Sequence, residues 1–223
     1  MSDLQHLIND FDLIAEIGYN LSQQFDGVQT SDRRKKVSTY YLAKVVPECM
    51  SLLRTLPGSR FTDSGEMFDF PSFCSISRNL IEAVNLHWYY CVERSEEAQV
   101  CFRFFLYDYH DYRTRISIGE FLQADEIELE ELKKRCSELK ERIKEHPSFH
   151  ELLPEVQRQI LKGRRCSELN QSEIIAKREI DVIFFNGLYK LLSNNTHSTP
   201  SAINTVVHTR LHGDGLQLAF TGL

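Results

Sequence analysis

Arg78, Glu82, Asn85 and Tyr89 lie four, three and four residues apart, and at about 100° per residue that spacing gathers them into one narrow arc of a helix. The arc holds a permanently charged guanidinium, a carboxylate able to accept a proton, an amide and a phenol. Its surroundings are apolar. Ile81 and Trp88 border it on one side and Leu86 on the other, with Leu80, Ala83, Val84 and Cys91 opposite. A surface helix shows a narrow apolar stripe and a broad polar face; this one shows the reverse. The helix is therefore expected to be mostly buried with a charged stripe inside the protein. Buried charge is costly unless paired and hydrogen-bonded, so the stripe reads either as a structural network or as a site.

A second polar set is Tyr189, Ser193 and His197, spaced i, i+4, i+8, with Asn194 and Asn195 alongside. Antiparallel packing would carry that helix end, with its exposed carbonyls and negative dipole, toward Arg78. A histidine beside a carboxylate has its pKa pushed upward and suits acid–base work. If the chain is an enzyme, the catalytic set is Arg78, Glu82, Asn194 and His197. Asn85, Tyr89, Tyr189 and Ser193 are then the binding set. The plainer reading is an intrahelical Arg78–Glu82 pair with His197 capping a last turn.

Other chemistry-bearing residues give less. His87 on the apolar face reads as a satisfied core histidine. Asp108, His110 and Asp111 with Arg113 form a polar patch in an aromatic helix, and His146 and His150 straddle Pro147, which breaks the helix that would align them. No Glu-x-x-His pair occurs, which removes the di-iron pattern of helical bundles. Walker A, G-x-G-x-x-G, G-x-S-x-G and H-E-x-x-H motifs are absent. Neither a metal nor a cofactor is expected.

The elements that must position these groups follow from periodicity and breakers. Leu4, Leu7, Ile8, Phe11, Ile14, Ile17 and Leu21 mark a helix over 3–24, with Asp3 as its cap candidate. Thr30 or Ser31 caps a second helix running to Pro57-Gly58. Its core face is Val37, Tyr40, Tyr41, Val45, Cys49, Leu52, Leu53 and Leu56. A loop over 58–70 crosses the mouth of the bundle. Ser72 caps the helix with the polar stripe, and a fourth helix over 96–116 turns Cys101, Phe102, Phe105, Leu106, Tyr109 and Tyr112 inward. Leu129, Leu132, Cys136, Leu139 and Ile143 make a 3,4 seam in 125–145, and a segment over 149–162 folds back on it. That pair is expected to be a projecting hairpin or a dimerisation arm. A single buried helix capped by Ser172 runs to Asn195. Thr199-Pro200 opens a short helix to about 209, and 211–223 is a loose tail or short strand. The fold class is all-α: one helical domain over 1–223, a multi-helix bundle with that hairpin.

Bulk properties agree. The 223 residues suffice for one sizeable core, and 10 Gly and 6 Pro sit mostly where helices start or stop. A net charge of −6 and a pI near 5.8 argue against a protein that coats nucleic acid. A local basic groove is left open, with Arg33-Arg-Lys-Lys36, Lys133-Lys-Arg135 and Arg164-Arg165 as contributors. Six scattered cysteines without a C-x-x-C pair behave as small hydrophobes. No run approaches the roughly 20 apolar residues of a membrane span. A reduced, cytoplasmic protein is expected.

The pairing of Ser77–Tyr90 (SRNLIEAVNLHWYY) with Tyr189–Ile203 (YKLLSNNTHSTPSAI) resembles an uncharacterised, widespread bacterial all-helical family. That family carries Arg-x-Leu-(Leu/Ile)-Glu and then Tyr-x3-Ser-x3-His, here Arg78, Leu80, Ile81, Glu82, Tyr189, Ser193 and His197. It is distantly similar to the HEPN superfamily, helical bundles that include RNase toxins and phage-defence effectors. The resemblance implies metal-independent RNA cleavage, with His197 as acid–base on a ribose 2′-hydroxyl and Arg78 stabilising the phosphorane. HEPN ribonucleases carry Arg and His four to six residues apart on one helix. This chain has no such pair near His197, so Arg78 must arrive from another helix.

Three functions follow as expectations. The first is a non-enzymatic interaction or regulatory module, defence- or toxin-associated, with a protein partner or self-association. The second is a HEPN-like RNase or nucleotide-processing enzyme acting on RNA or a nucleotide. The third is a binder of a small anionic ligand at Arg78. No membrane partner is expected.

Overall fold

The computed structural model of the chain describes residues 3–62, 68–197 and 199–205. The expected tail at 211–223 and the middle of the 58–70 loop lie outside them. The described residues are helical, with no strand among them: α1 Asp3–Gln24, α2 Arg33–Thr55, α3 Phe70–His87, a π-helical turn Trp88–Val92, α4 Glu97–Leu122, α5 Glu126–Glu145, α6 Pro147–His150, α7 Pro154–Leu161, α8 Gln171–Lys177 and α9 Val182–Asn195. A helical turn over 200–205 follows, with Thr199 Oγ1 accepting from the Ala202 amide as its cap. The fold class is the all-α bundle expected.

The chain partitions into two compact units. A terminal unit combines Met1–Cys91 with Ile174–Leu223, and a central unit spans Val92–Glu173. In the terminal unit α1 packs on α2, α2 on α3 and α3 on α9. Ala15, Cys49, Leu52, Leu53 and Leu80 form one core cluster and Phe70, Cys74 and Leu192 another. Gly18 faces Val46 so closely that a Cβ there would lie 3.3 Å from its Cγ2, which is what lets α1 seat on α2. In the central unit α5 packs on α4. Phe102, Leu106, Tyr109, Ile116, Cys136, Leu139, Ile143, Phe149 and Ile160 close one core there. Each fully buried aliphatic side chain of these clusters contributes on the order of 1.5–3 kcal/mol. The 3,4 seam of α5 is thus occupied by α4 of the same unit.

Several boundaries differ from the sequence expectation, each for a local reason. Asp32 caps α2, accepting from the Arg34 and Lys35 amides, while Thr30 accepts from the Asp32 amide instead. Asp69, not Ser72, caps α3; its carboxylate accepts from the Ser72 amide and Pro71 falls in the first turn, where no donor is lost. The fourth helix runs on to Leu122 rather than stopping at 116. Gly119 is a point of close approach there, since a Cβ would meet Leu129 Cδ2 at 2.7 Å, and left-handed Gln123 ends the helix. The 149–162 segment divides at Leu153, with Pro154 starting α7. The single helix expected from Ser172 to Asn195 is two, parted by Glu179 at φ 58° and restarted by Asp181, which accepts from the Ile183 and Phe184 amides. Tyr40 is exposed because it lies half a turn from buried Cys49, and Cys101 is exposed at the edge of the apolar arc of α4.

Candidate functional site

Packing of α3 against α9 brings together Arg78, Glu82 and Tyr189. Arg78 Nε donates to Glu82 Oε1 at 3.0 Å and to Tyr189 Oη at 3.3 Å. The Tyr189 hydroxyl donates to the same Glu82 oxygen. The guanidinium carbon lies 5.3 Å from the tyrosine ring centroid, a cation–π distance. The three groups close a ring of hydrogen bonds joining two helices.

The stripe is buried at Asn85 and Tyr89, as expected, but its charged pair is only partly so. The Arg78 and Glu82 side chains are 31% and 32% exposed. Burial and the bond to Glu82 push the Tyr189 phenol above its ordinary pKa. The bond to Tyr189, with Glu82 adding to it, holds Arg78 more firmly in its charged form. The phenol proton is committed to Glu82. The Nη atoms of Arg78 carry no protein hydrogen bond among the described residues, yet the adjacent carboxylate offsets the charge that would draw an anion to them. Chemically the arrangement is a lock between helices.

The rest of the expected set does not join this ring of hydrogen bonds among the described residues. Asn85 is buried and accepts from Arg178 Nη1; burial lowers the pKa of that arginine. Tyr89 is sealed in the π-helical turn, edge-on to Tyr90 at 4.8 Å. Ser193 Oγ donates back to the Tyr189 carbonyl at 2.7 Å, an intrahelical bond common for serine. Asn194 and His197 are exposed, His197 in the turn after α9. Among the described residues the hydrogen-bond partners of Arg78 are Glu82 and Tyr189, and His197 is not one of them. His87 is a satisfied core histidine, as expected, with Ser38 Oγ 2.8 Å from its Nε2 and Tyr41 against its ring at 5.7 Å.

Sequence reasoning missed a deeper polar cluster in the central unit. Arg103 is 3% exposed. Its Nη1 lies 2.5 Å from Glu93 Oε2 and its Nε 3.3 Å from Glu168 Oε1. Gln99 Nε2 donates to that Glu168 oxygen at 2.7 Å, and Ser148 Oγ donates to Gln99 Oε1 at 2.8 Å. The available signal was a lone arginine inside Phe102-Arg-Phe-Phe105, a charge in an apolar run. Among the described residues no group of three or more His, Cys, Asp or Glu side chains assembles to hold a metal ion.

Fold and centre together define the class: an all-α protein whose polar clusters join helices. No protein-family model matches the chain, no curated protein matches it, and no solved structure matches it. No helix of the described residues is long and apolar enough to cross a membrane.

Proposed function

We propose that the chain is a non-enzymatic helical interaction module that self-associates through α1. One observation carries the reading: α1 is apolar on two sides, and one of them has no cover among the described residues. Ile8 and Ala15 are buried against the terminal unit. Leu7, Ile14, Ile17 and Leu21 stand between 42% and 65% exposed. A row of this kind on one helix marks an interaction surface.

The occupant that fits is a second copy. Leu7, Ile14 and Leu21 repeat every seven residues, so a two-fold axis at Ile14 sets Leu7 of one copy on Leu21 of the other and Ile14 on itself, the isologous pairing of a C2 dimer. Charge permits it. Asp12 is neutralised by Arg60 at 3.1 Å, and Glu16 lies 4.0 Å from the same guanidinium, which leaves Asp10 as the carboxylate of the exposed arc between Leu7 and Leu21. The ribonuclease reading lacks comparable support, because the hydrogen bonds of Arg78 among the described residues go to Glu82 and Tyr189, and His197 is not one of its partners. Defence or toxin association belongs to this proposal only as the setting in which such a module would act.

Light scattering on the eluting full chain tests the reading. The expected mass is twice 26.0 kDa, falling to the single-chain value in Leu7→Asp/Ile14→Asp. A wild-type monomer overturns the proposal. So does a dimer that survives the double substitution, which would point instead to the separate patch of Phe121, Leu122 and Ile127 at the α4–α5 turn.

A further inference from the structure

The central unit contains a cleft of about 680 Å³ between α4, α5 and the end of α7. Its floor is apolar: Tyr109, Ile116, Cys136 and Leu161 line it, with the Tyr109 hydroxyl turned away into a 2.7 Å bond to the Leu161 carbonyl. Its rim is cationic. Arg113, Lys133, Lys140, Lys162 and Arg164 converge there from three separate segments, against one carboxylate, Glu120. Lys133 takes that carboxylate at 3.3 Å and Glu130 at 3.2 Å. The other four cations form no ion pair among the described residues. Two of the three basic runs visible in the sequence thus meet at one place, in a chain of net charge −6.

Like charges held together repel and stabilise nothing in the folded chain by themselves. Several surface cations of the same unit are paired within a turn, as in Lys144–Glu141, Arg135–Glu131 and Arg158–Glu155. Arg113, Lys140, Lys162 and Arg164 are not, among the described residues, and they share one cleft. The backbone also makes room for it: Gly163 sits at φ 69°, and a Cβ there would meet Arg113 Cβ and Cγ at 3.0 Å. The positive field reaches the floor, where Arg113 and Lys140 pull down the pKa of the Cys136 thiol against the larger upward effect of burial.

We infer that this cleft binds a compact organic polyphosphate, of which a nucleoside triphosphate is the representative. Four unpaired cations call for several negative charges in a small volume, which phosphates supply with oxygens suited to guanidinium and ammonium donors. The volume falls in the range of roughly 300–1,000 Å³ typical of small-molecule sites, and the apolar floor takes the organic part. The inference is independent of the α1 dimer, which uses the other unit.

Isothermal titration of the full chain with ATP, inorganic tripolyphosphate, inorganic phosphate and a short single-stranded RNA tests it. ATP is expected to bind most tightly, tripolyphosphate more weakly, and phosphate weakest. Removing rim cations is expected to weaken ATP binding by roughly tenfold per charge, in Arg113→Gln/Lys140→Gln and independently in Lys162→Gln/Arg164→Gln. Lys144→Gln removes one charge away from the cleft and is expected to leave the affinity unchanged. Failure of ATP to bind overturns the inference, as do equal losses in the Lys144 control. Binding of RNA without ATP overturns it in favour of a nucleic-acid groove. Two independent rim pairs keep the test decisive if one of them unfolds.

Discussion

Arg78 on α3 and Arg103 on α4 both stand among apolar residues and both pair with carboxylates, yet they end in different physical settings. The Arg78 side chain is 31% exposed and its carboxylate lies one turn along the same helix. The Arg103 side chain is 4% exposed, and its two carboxylates come from the segment before α4 and from residue 168 beyond α7. Water screens the first pair and is excluded from the second. An exposed pair is worth about 0–1 kcal/mol, whereas removing one member of a buried pair costs about 3–5 kcal/mol because a charge is left behind unpaired. The polar stripe that looks most like a site is therefore the weaker structural element, and the arginine hidden in an aromatic run is the stronger.

Arg103→Met sharpens that contrast most. It strands Glu93 and Glu168 and is expected to lower stability by about 3–5 kcal/mol, read by denaturant unfolding of the full chain. Adding Glu93→Gln and Glu168→Gln removes the orphaned charges and is expected to recover a large part of the loss. A cost below about 1 kcal/mol for Arg103→Met would place this network in the screened class and break the comparison.

His87 offers a second, smaller handle, set by pH. Burial lowers its pKa from the ordinary 6.5, so the folded protein releases this proton more readily than the unfolded chain does. Its contribution is whole above about pH 6.5 and is lost as pH falls through the lower folded value. His110 shifts in the same direction, with burial again the main cause. His87→Gln is therefore expected to flatten, not abolish, the decline of the thermal midpoint below that pH. An unchanged slope would mean that His87 titrates normally.

The helices were legible where apolar spacing and hard breakers coincide, as in α1, α2 and α5. They were misread where a polar residue acts locally. Asp181 restarts a helix and Asp69 begins one, because a short carboxylate satisfies amides that no carbonyl reaches; period alone does not report that. Gly119 lies inside α4, past the end expected at 116, and serves close packing, which only the position of Leu129 reveals. At the candidate centre, the Arg78–Glu82 pair followed from its i, i+4 spacing and the late helix was expected to approach Arg78, but the residue that meets it is Tyr189, where the sequence pointed to His197. The exposure of His197 did not follow from spacing, since a side chain beyond the last helical turn is no longer bound by helical phase. Arg103 and the rim of the central cleft depend on which segments converge, and their residues lie as far apart as 93 and 168 or 113 and 164.

Tyr189→Phe makes the smallest expected change and is the most exacting test of the contrast. It deletes one hydroxyl that donates to Glu82 and accepts from Arg78, while the ring stays stacked on Phe185 at 5.6 Å. Because water reaches both charged partners, the loss is expected to be about 1 kcal/mol, and the Arg78–Glu82 pair survives within its own helix. A double-mutant cycle with Glu82→Gln isolates the hydroxyl–carboxylate term from changes in packing. A coupling above about 2 kcal/mol would mean that the ring of hydrogen bonds is effectively desolvated. Arg78 would then stand beside Arg103 as a buried charge, and solvent access would no longer separate the two clusters.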